Sequence, residues 1–295
     1  MHVPVLLNEV LDFLAPARGG VFVDATAGCG GHAAEILKRL PPEGILIGID
    51  RDEEALAIAG NRLEAVSPGK SKLVKGNFAE IKFILDKLGI RGINGILFDL
   101  GVSSIQLDKG YRGFSILNDG PLDMRMDRSS ALTAYDVINR YPERALSDLF
   151  WSMGEERQAR RIARHVVYAR KKKPVETAGE LAEIVKKAAW RRGGRQKIHP
   201  ATRVFQAVRI EVNGELDALK SALQELAGCL VKGARVCVIS FHSLEDRIVK
   251  HFFRDMSGTG AFRLMNKKPV TAGAEEVENN PRSRSAKLRC AEYLG

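Results

Sequence analysis

The stretch VFVDATAGCGGH, which runs from Val21 to His32, predicts the fold around which this chain is built. Its first three residues are apolar and either β-branched or aromatic, which is typical of a short buried strand. A glycine-rich turn follows the strand. Apolar residues at helical spacing then continue to Leu40, before Pro41 and Pro42 end the helix. The stretch therefore predicts the strand, turn and helix that open a βαβ unit.

The next strand, GILIGID at residues 44–50, ends on the carboxylate of Asp50. Glycines in the turn before the helix let a ligand lie against backbone N–H groups that a β-carbon would screen. A carboxylate at the tip of the second strand is placed to accept hydrogen bonds from two ribose hydroxyls. The unit therefore predicts a nucleoside-containing cofactor, and a tight turn without a ligand is the alternative.

Two cofactors fit this unit. The spacing Gly28-x-Gly30-x-x-Ala33 satisfies the loose dinucleotide pattern, so the glycines alone do not decide between them. Asp24 lies just before the glycines, where a carboxylate can meet an amino group. S-adenosylmethionine carries such a group in its amino-acid part, whereas a nicotinamide dinucleotide does not. Asp24 therefore favours S-adenosylmethionine, and the dinucleotide is the alternative.

Composition limits the class of protein. The chain has 295 residues, of which 45% are hydrophobic, so it is long enough to bury a large core. No apolar run approaches the roughly 18 to 20 residues of a membrane span, and the N-terminus lacks a signal pattern, so we expect no membrane association. The 4 cysteines are scattered without a C-x-x-C pair, which predicts reduced thiols in the cytoplasm and no metal site.

Strand and helix patterns alternate through the first third of the chain, which predicts a doubly wound parallel α/β sheet. The predicted helices are 4–14, 32–40, 51–64 and 81–88, and the predicted strands are 21–23, 44–50, 73–78 and 92–100. The strand at 92–100 ends at Asp99, at the edge where open α/β sheets bind ligands. We interpret Asp99 as a functional residue that faces both the cofactor and the reacting group. Phe78 is either a core residue or an aromatic residue beside the adenine.

The pattern changes near residue 110, and strand patterns return only near residue 234. Predicted helices at 133–139, 142–151, 155–169 and 177–190 occupy the interval. We therefore expect a helical domain at residues 110–200, inserted into an α/β domain formed by residues 1–109 and 201–295. A long helix reaching Cys229 leads back to the sheet, and the tail at 280–289 is expected to form a last strand.

Positive charge is concentrated in the predicted insertion. The net charge is +10, from 46 Lys and Arg against 36 Asp and Glu, which favours a polyanionic partner such as nucleic acid. Arg157, Arg160, Arg161 and Arg164 lie three and four residues apart, and basic loops follow at 171–173 and 191–197. Guanidinium groups suit phosphate oxygens. The clusters predict a phosphate-binding surface, and a solvated basic face is the alternative.

His242 follows the late strand predicted at residues 233–241. Its place at the carboxyl end of that strand puts it at the same sheet edge as the glycine turn and Asp99. A histidine in this position is either a structural residue with satisfied hydrogen bonds or a residue that contacts the substrate.

Nine segments together resemble one known family. They are DATAGCGGH at 24–32, GIDRD at 48–52, DLGVSSIQLD at 99–108, RGFS at 112–115, GPLDMRMD at 120–127, GEER at 154–157, HPATRVFQAVRI at 199–210, ISFHSLEDRIVK at 239–250 and NPRSRSAKLR at 280–289. In this order, and over nearly the whole chain, the sequence resembles the ribosomal RNA small subunit methyltransferase H family, also called MraW.

The resemblance implies a Rossmann-like class I methyltransferase that uses S-adenosylmethionine to methylate N4 of a cytidine in the decoding region of 16S rRNA, within the small ribosomal subunit. It places cofactor contacts on Gly30, Gly31, His32, Asp50, Phe78, Asp99 and Gln106. Asp24 and Gly28 complete the expected cofactor site. Expected RNA contacts are Arg157, Arg160, Arg161, Arg164, Arg203 and His242. The oligomeric state is open, with a homodimer among the alternatives.

Asp99 is the expected catalytic residue, because a carboxylate can accept a hydrogen bond from the amine as positive charge develops on it. The alternative is that Asp99 contacts only the cofactor and not the amine. Methylation at cytosine C5 would need a cysteine nucleophile in a Pro-Cys or Thr-Cys pair, and the sequence contains neither. A nicotinamide-dependent oxidoreductase and a non-catalytic RNA-binding module are the remaining alternatives.

Overall fold

The computed structural model describes residues 4–189 and 199–295. Seven strands form one sheet. The strands are β1 (Val21–Asp24), β2 (Ile45–Asp50), β3 (Ser71–Lys75), β4 (Ile93–Asp99), β5 (Leu230–Ser240), β6 (Phe262–Leu264) and β7 (Lys287–Tyr293). The α-helices are α1 (Leu7–Leu14), α2 (Gly31–Arg39), α3 (Glu53–Val66), α4 (Ile81–Lys87), α5 (Ser104–Asp108), α6 (Ala134–Arg140), α7 (Glu143–Ser152), α8 (Ala159–Arg170), α9 (Ala178–Ala189), α10 (Thr202–Asn213), α11 (Glu215–Leu226), α12 (Ser243–Gly258) and α13 (Ala274–Asn279). The basic loop predicted at 191–197 and the helix end predicted at Trp190 lie outside the described residues.

The chain folds as two compact units. The sheet unit contains the residues up to Gly101 together with Leu216–Gly295, and the helical unit is Val102–Glu215. These limits differ from the predicted boundaries at 109/110 and 200/201. Residues on α10 such as Val204 and Val208 are buried in the core of the helical unit, against which the half-buried Val102 also packs. The helical unit therefore begins earlier and ends later than the sequence pattern suggested.

The order of strands along the sheet is β3-β2-β1-β4-β5-β7-β6. Neighbouring strands from β3 through β5 are parallel. The chain moves outward through β2 and β3 on one side of β1 and through β4 and β5 on the other, so the direction of winding reverses between β1 and β4. Ligands bind beyond the carboxyl ends of the strands at such a reversal. The predicted doubly wound, Rossmann-like α/β fold is confirmed.

The expectation of a fully parallel sheet is wrong at one edge. β7 pairs antiparallel with β5, where Cys237 lies opposite Cys290, and β6 pairs antiparallel with β7. After β5, the chain returns through α12, so β6 runs in the same direction as β5. The chain then turns back and places β7 between β5 and β6, which makes β7 antiparallel to both.

Both faces of the sheet are covered by helices, and alternate residues of each strand point to opposite faces. Phe22 and Leu97 are buried on one side, together with apolar residues of α1 and α2. Val23 and Ile96 are buried on the other side, together with residues of α4, α11 and α12. Because both faces are buried, the central strands are nearly continuous apolar runs.

Three predicted elements differ from those observed. The helix predicted at 155–169 begins at Ala159, because Glu155 has a positive φ of 49° and the Glu156 N–H donates to the carbonyl of Phe150 over 3.0 Å. The helix predicted to reach Cys229 is broken at Gly214, whose φ of 58° is a left-handed C-cap conformation. The tail strand is Lys287–Tyr293, and Pro281–Ser285 forms a 3₁₀ turn before it.

The irregular segment that contains GPLDMRMD is held by side chains with long-range partners. Arg112 is buried, and its Nη2 donates to the carbonyl oxygens of Arg125 and Met126 over 3.0 Å each. Asn213 Oδ1 accepts from the Met126 N–H over 2.8 Å, and its Nδ2 donates to the carbonyl of Met124 over 2.8 Å. Side chains thus satisfy backbone groups that a helix or strand would otherwise pair.

None of the described helices combines the length and the apolar character needed to cross a membrane.

Gly95 of β4 tests the packing between β4 and β1. A β-carbon at Gly95 would lie 2.5 Å from the ring of Phe22, its partner residue on β1. We predict that Gly95→Ala destabilises the fold by about 1 to 3 kcal/mol, because the ring has to move within a packed core. Thermal unfolding should show a midpoint lowered by roughly 2 to 10 °C.

Gly258→Ala is the matched control. Nothing lies within 4 Å of the β-carbon that this change adds at the end of α12. The thermal midpoint should stay unchanged or rise slightly, since alanine favours the helix. Equal shifts in the two variants would contradict the packing argument.

Candidate functional site

Three carboxylates lie at the carboxyl edge of the sheet. β1, β2 and β4 end on Asp24, Asp50 and Asp99, and β1 pairs with both of the other strands. Because the strands are parallel, their final residues meet at the same edge. His32 lies in the first turn of α2, at the same edge. The structure thus brings together four of the predicted site residues.

His32 is buried between two hydrogen-bond acceptors. Its Nε2 lies 2.9 Å from the carbonyl oxygen of Val5, and its Nδ1 lies 3.3 Å from Asp99 Oδ2. A neutral imidazole carries only one N–H, so two acceptors favour the doubly protonated ring. Burial lowers the pKa of His32, but the hydrogen bond and the charge of Asp99 outweigh this effect and raise the pKa above its ordinary value.

Two contacts fix the position of Asp99, and one of its carboxylate oxygens is left without a partner in the described part of the chain. Its backbone N–H donates to Thr26 Oγ1 over 2.6 Å, and its Oδ2 faces His32. Its Oδ1 is buried and has no hydrogen-bond partner within the described part of the chain. A buried carboxylate oxygen without a donor is costly. The Asp99 side chain is therefore oriented and available to accept a hydrogen bond from a ligand.

Asp24 is almost fully buried at the end of β1, and its Oδ1 accepts from the Thr26 N–H over 3.2 Å. Burial raises the pKa of Asp24 to about 7, although the charge of His32 opposes the shift. The carboxylates of Asp99 and Asp50 add to the rise. A cationic ligand beside Asp24 would favour its ionised form.

Asp50 ties the glycine turn to β2. Its Oδ2 accepts from the Gly28 N–H over 2.7 Å, and its Oδ1 accepts from the Asp52 N–H over 2.8 Å. Burial raises the pKa of Asp50 above its ordinary value, and these two N–H groups oppose the shift. The Arg51 N–H also donates to this carboxylate, which has about four acceptor positions, so room is left for a ribose hydroxyl to donate to it.

The glycines of the turn are required by packing as well as by backbone conformation. Gly30 caps α2 with a left-handed φ of 76°, and a β-carbon there would lie 3.2 Å from Cα of Ala59. A β-carbon on Gly31 would lie 3.0 Å from Cγ of Pro4. The predicted role of these glycines is to let a ligand approach, and the structure adds that neighbouring elements also need the space.

Phe78 has features of both predicted alternatives. Its half-buried ring meets the ring of Phe98 edge to face, with centroids 5.6 Å apart. The guanidinium of Arg51 lies 5.7 Å from the centroid of the Phe78 ring. The ring is therefore anchored in the core on one side and covered by a cation on another.

Sequence reasoning missed two residues that position the carboxylates. Thr26 bonds to Asp99 and Asp24, and buried Asp52 caps α3 by accepting from the Glu54 N–H over 3.1 Å. The signal for Asp52 was a carboxylate directly before a helix. A threonine inside a glycine-rich turn offers no comparable signal, because its partner Asp99 lies far along the chain.

His242 is the N-cap of α12. Its Nδ1 accepts from the Glu245 N–H over 3.4 Å, and the buried Glu245 carboxylate accepts from the Phe241 N–H over 2.8 Å. Glu245 Oε1 also lies 3.2 Å from His242 Nε2. The helix cap accounts for a histidine at this position, and a contact with substrate stays a prediction.

Gln106 belongs to the helical unit, where it is buried in the short helix α5. Its Oε1 accepts from the Ser103 N–H over 3.0 Å and so closes the first turn of the helix. Its predicted contact with a cofactor stays a prediction.

The predicted arginine cluster is exposed on the helical unit. Arg160, Arg161 and Arg164 project from α8, whose opposite face is buried. Arg157 is also exposed but lies in the turn before α8. Arg164 Nε lies 3.9 Å from Glu143 Oε1, whereas the side chains of Arg157, Arg160 and Arg161 have no partner among residues 4–189 and 199–295.

Some of the other predicted basic residues already have hydrogen-bond or ion-pair partners. Arg203 is exposed on α10, and its Nη1 donates to the Glu155 carbonyl over 3.1 Å. Lys173 pairs with Glu176 over 2.9 Å and with Glu180 over 3.1 Å. Lys173 is therefore less available to a phosphate than its neighbours.

Among the described residues, the two most exposed aromatic side chains of the helical unit were not predicted. Trp151 on α7 and Tyr168 on α8 are 62% and 63% exposed, and Lys172 Nζ lies 4.9 Å from the centroid of the Tyr168 ring. Large aromatic side chains are seldom left this exposed without a partner. Exposed rings and unpaired arginines occur together on surfaces that bind single-stranded nucleic acid.

Comparison with known proteins agrees with this geometry. A family model described as the MraW methylase family matches residues 1–294. The chain belongs to this family. A protein named ribosomal RNA small subunit methyltransferase H from Geobacter sp. (strain M21) is 50% identical over 309 residues, with 99% of this chain and 98% of that protein covered. A protein of the same name from Persephonella marina is 49% identical over 293 residues, with 99% of each chain covered.

A solved structure of an rRNA methylase from Streptococcus thermophilus aligns with TM-score 0.47 and 12% identity, covering 100% of each chain.

Membership of the MraW methylase family decides between the two cofactors that the sequence left open. The protein uses S-adenosylmethionine, and the nicotinamide alternative is set aside. The site fits this choice, because the acceptors at the sheet edge are carboxylates and the cofactor carries hydroxyl groups, an ammonium group and a sulfonium.

Asp24 should make the stability of the ligand-free protein depend on pH. The folded protein keeps the Asp24 proton up to about pH 7, whereas the unfolded chain releases it near pH 4. The folded state therefore binds more protons in this window, and its stability falls as pH rises through it. We predict that Asp24→Asn removes this loss and raises the thermal midpoint by about 5 °C at pH 8, with little effect near pH 4.

Thermal unfolding between pH 4 and pH 8 measures this effect. Asp86→Asn, which removes an exposed carboxylate on α4, is the matched control. A difference between wild type and Asp24→Asn that is the same at every pH would contradict the prediction.

Proposed function

We propose that the protein transfers a methyl group to N4 of a cytidine in the decoding region of 16S rRNA, within the small ribosomal subunit in the cytoplasm. Relatives about 50% identical over the full length carry the name ribosomal RNA small subunit methyltransferase H, which supports rRNA as the substrate. The proposal that the substrate is an amine rests on Asp99 Oδ1. This buried oxygen has no partner among the described residues, and an exocyclic amine can donate to it.

The residues at the sheet edge have complementary roles toward the cofactor in this proposal. The Asp50 oxygens accept from the ribose hydroxyls while Gly28 holds the carboxylate in place. Asp24 faces the ammonium group, Gly30 and Gly31 open the turn beside the cofactor, and Phe78 lies along the adenine. When bound, S-adenosylmethionine supplies an electrophilic methyl group on its sulfonium.

In this proposal, Asp99 binds the amine of the target cytidine. The lone pair on cytosine N4 is delocalised into the ring, so the amine is a poor nucleophile and gains from a hydrogen bond to a carboxylate. Asp99 Oδ1 accepts that bond, and it takes the proton that N4 loses when it becomes a secondary amine. His32 and the Thr26 hydroxyl hold Asp99 in the required orientation.

Methylation at cytosine C5 lacks its nucleophile at the ends of β4 and β5. That reaction needs a thiol beside the base, at the end of β4 or β5. β4 ends on Asp99 and β5 ends on Ser240. Cys237 and Cys290 are buried within the sheet, where their Sγ atoms lie 3.1 Å apart. The arrangement supports methylation of the amine over methylation of ring carbon.

The helical unit supports a role in RNA binding. Free guanidinium groups on and beside α8 suit phosphate oxygens, and the exposed rings of Trp151 and Tyr168 suit unstacked bases. A base has to be unpaired and turned outward before its amine can be methylated. Phosphate contacts and stacking on these residues would hold the RNA in such a state.

The first experiment is methyl transfer from labelled S-adenosylmethionine to small-subunit particles that lack the modification, with mass spectrometry of the nucleosides. We expect N4-methylcytidine with the wild-type protein. Asp99→Asn should lower kcat about 100-fold or more, because the amide cannot take the proton. Cofactor binding measured by calorimetry should change much less than kcat.

Asp86→Asn is the matched control for Asp99→Asn and should keep the wild-type rate. Cofactor binding without methyl transfer to any RNA would contradict the enzymatic proposal and favour a binding module. A product other than N4-methylcytidine would contradict the assignment of the amine.

The arginines on α8 should bind phosphates of the RNA. We predict that the double variant Arg160→Ala, Arg161→Ala raises the KM for the particles about tenfold. The slope of log(kcat/KM) against log[salt] should become less steep, by about 0.7 for each phosphate that the variant no longer binds. Arg140→Ala combined with Arg144→Ala is the matched control, because both arginines are exposed but paired with acids on their own helices. Equal effects of the two pairs would favour a generally basic surface.

A further inference from the structure

A cavity of about 230 Å³ lies between the beginning of α12 and the turn before β7, within the sheet unit. Its lining consists of Phe241, His242, Ser243, Thr271, Arg284, Ser285, Ala286 and Lys287. Three residues with hydroxyl groups and two with permanent positive charge therefore line a space large enough for a small anion. None of these residues except His242 belongs to the predicted site.

The charge of the cavity is positive. Two carboxylates among the described residues contact the lining. Glu245 accepts from the Phe241 N–H over 2.8 Å. Asp246 is bound on both oxygens, with Lys287 Nζ 3.2 Å from Oδ2 and Arg289 Nε 2.7 Å from Oδ1. Three cations, Arg284, Lys287 and Arg289, thus face two carboxylates, which leaves one positive charge in excess. Arg284 has no hydrogen-bond or ion-pair partner among residues 4–189 and 199–295. Its charge adds to the partial positive charge at the N-terminal end of the 16-residue helix α12.

Arg284 is presented by a rigid turn. The 3₁₀ turn Pro281–Ser285 is pinned by fully buried Ser283, whose Oγ donates to the carbonyl of Asn280 over 2.8 Å. Ala286, on the other side of Arg284 and Ser285, is also buried. Two buried residues therefore bracket the pair that faces the cavity, and little conformational entropy is lost when a ligand binds there.

The cavity lies close to Asp99 in the sheet. Ile239 of β5 lies opposite Asp99 of β4 and also opposite Leu288 of β7, the residue next to Lys287. Two strand spacings of about 4.8 Å therefore separate Asp99 from this part of β7, which makes roughly 10 Å. A nucleic-acid strand advances about 3.4 Å per nucleotide in a duplex and farther when it is extended, so three nucleotides or fewer cover this distance.

We propose that this cavity binds a backbone phosphate of the RNA substrate, within three nucleotides of the methylated cytidine. Arg284 and Lys287 meet the phosphate charge, and the hydroxyls of Ser243, Thr271 and Ser285 donate to its oxygens. The proposal rests on the proposed function, and it adds a contact in the sheet unit to the arginines of the helical unit. A phosphate contact positions the strand without reading its sequence.

Arg284→Ala tests the cavity with small-subunit particles that lack the modification. We expect the KM for the particles to rise about tenfold and the dependence of log(kcat/KM) on log[salt] to become less steep by about 0.7, the change expected when one phosphate is no longer bound. The Kd for S-adenosylmethionine should not change. Arg91→Ala is the matched control, because Arg91 is exposed just before β4, at the opposite edge of the sheet.

Replacing one backbone phosphate of the RNA at a time by an uncharged linkage identifies the phosphate that the cavity binds. Binding is measured for synthetic RNAs around the target cytidine, with a methylphosphonate at one linkage at a time. At one linkage, the methylphosphonate should weaken binding to the wild-type protein about as much as Arg284→Ala does. The same methylphosphonate should not weaken binding to Arg284→Ala any further. Independent effects at every linkage, or a wild-type KM and salt slope in Arg284→Ala, would overturn the proposal.

Two other outcomes separate the alternatives. If inorganic phosphate raises the thermal midpoint through Arg284 while RNA binding is unchanged in Arg284→Ala, the cavity binds a small anion and the RNA contact is overturned. If wild type binds RNA with the Arg284-dependent linkage effect but transfers no methyl group, the proposed methylation fails and the phosphate contact stands.

Discussion

The contact of His32 with two acceptors is the constraint on which the rest of the site depends. The ring bridges the Val5 carbonyl and the Asp99 carboxylate, so it joins the segment before α1 to the end of β4. It reaches both only because α2 begins directly after Gly30, whose left-handed backbone redirects the chain. With Oδ2 of Asp99 occupied by His32, Oδ1 is the atom left for a ligand.

The electrostatics of this edge suit a cationic cofactor. Asp24, Asp50 and Asp99 share a small, largely buried space with one imidazole, and burial raises the pKa of Asp24 to about 7 and that of Asp50 above its ordinary range. Ionised carboxylates in such a space need opposite charge nearby. S-adenosylmethionine brings an ammonium and a sulfonium. Cofactor binding and the ionisation of Asp24 should therefore favour each other.

Acidic and basic groups are divided between places with different tasks. Carboxylates are gathered at the carboxyl edge of the sheet, an arrangement that suits a cationic ligand. Unpaired guanidinium groups are exposed on and beside α8 of the helical unit and at Arg284 of the sheet unit. An anionic RNA strand would be repelled by the first group and attracted by the others. The division lets one chain with net charge +10 offer separate surfaces to a cationic and to an anionic ligand.

The sequence by itself determined the βαβ unit, the strands that end on Asp24, Asp50 and Asp99, and the helical insertion, because apolar periodicity and glycine turns are local signals. Only the tertiary structure decided that β7 returns antiparallel between β5 and β6, that Gly214 divides a predicted helix, and that Thr26 and His32 hold Asp99. Each of these depends on partners distant in the chain or on a single backbone conformation, which periodicity does not encode.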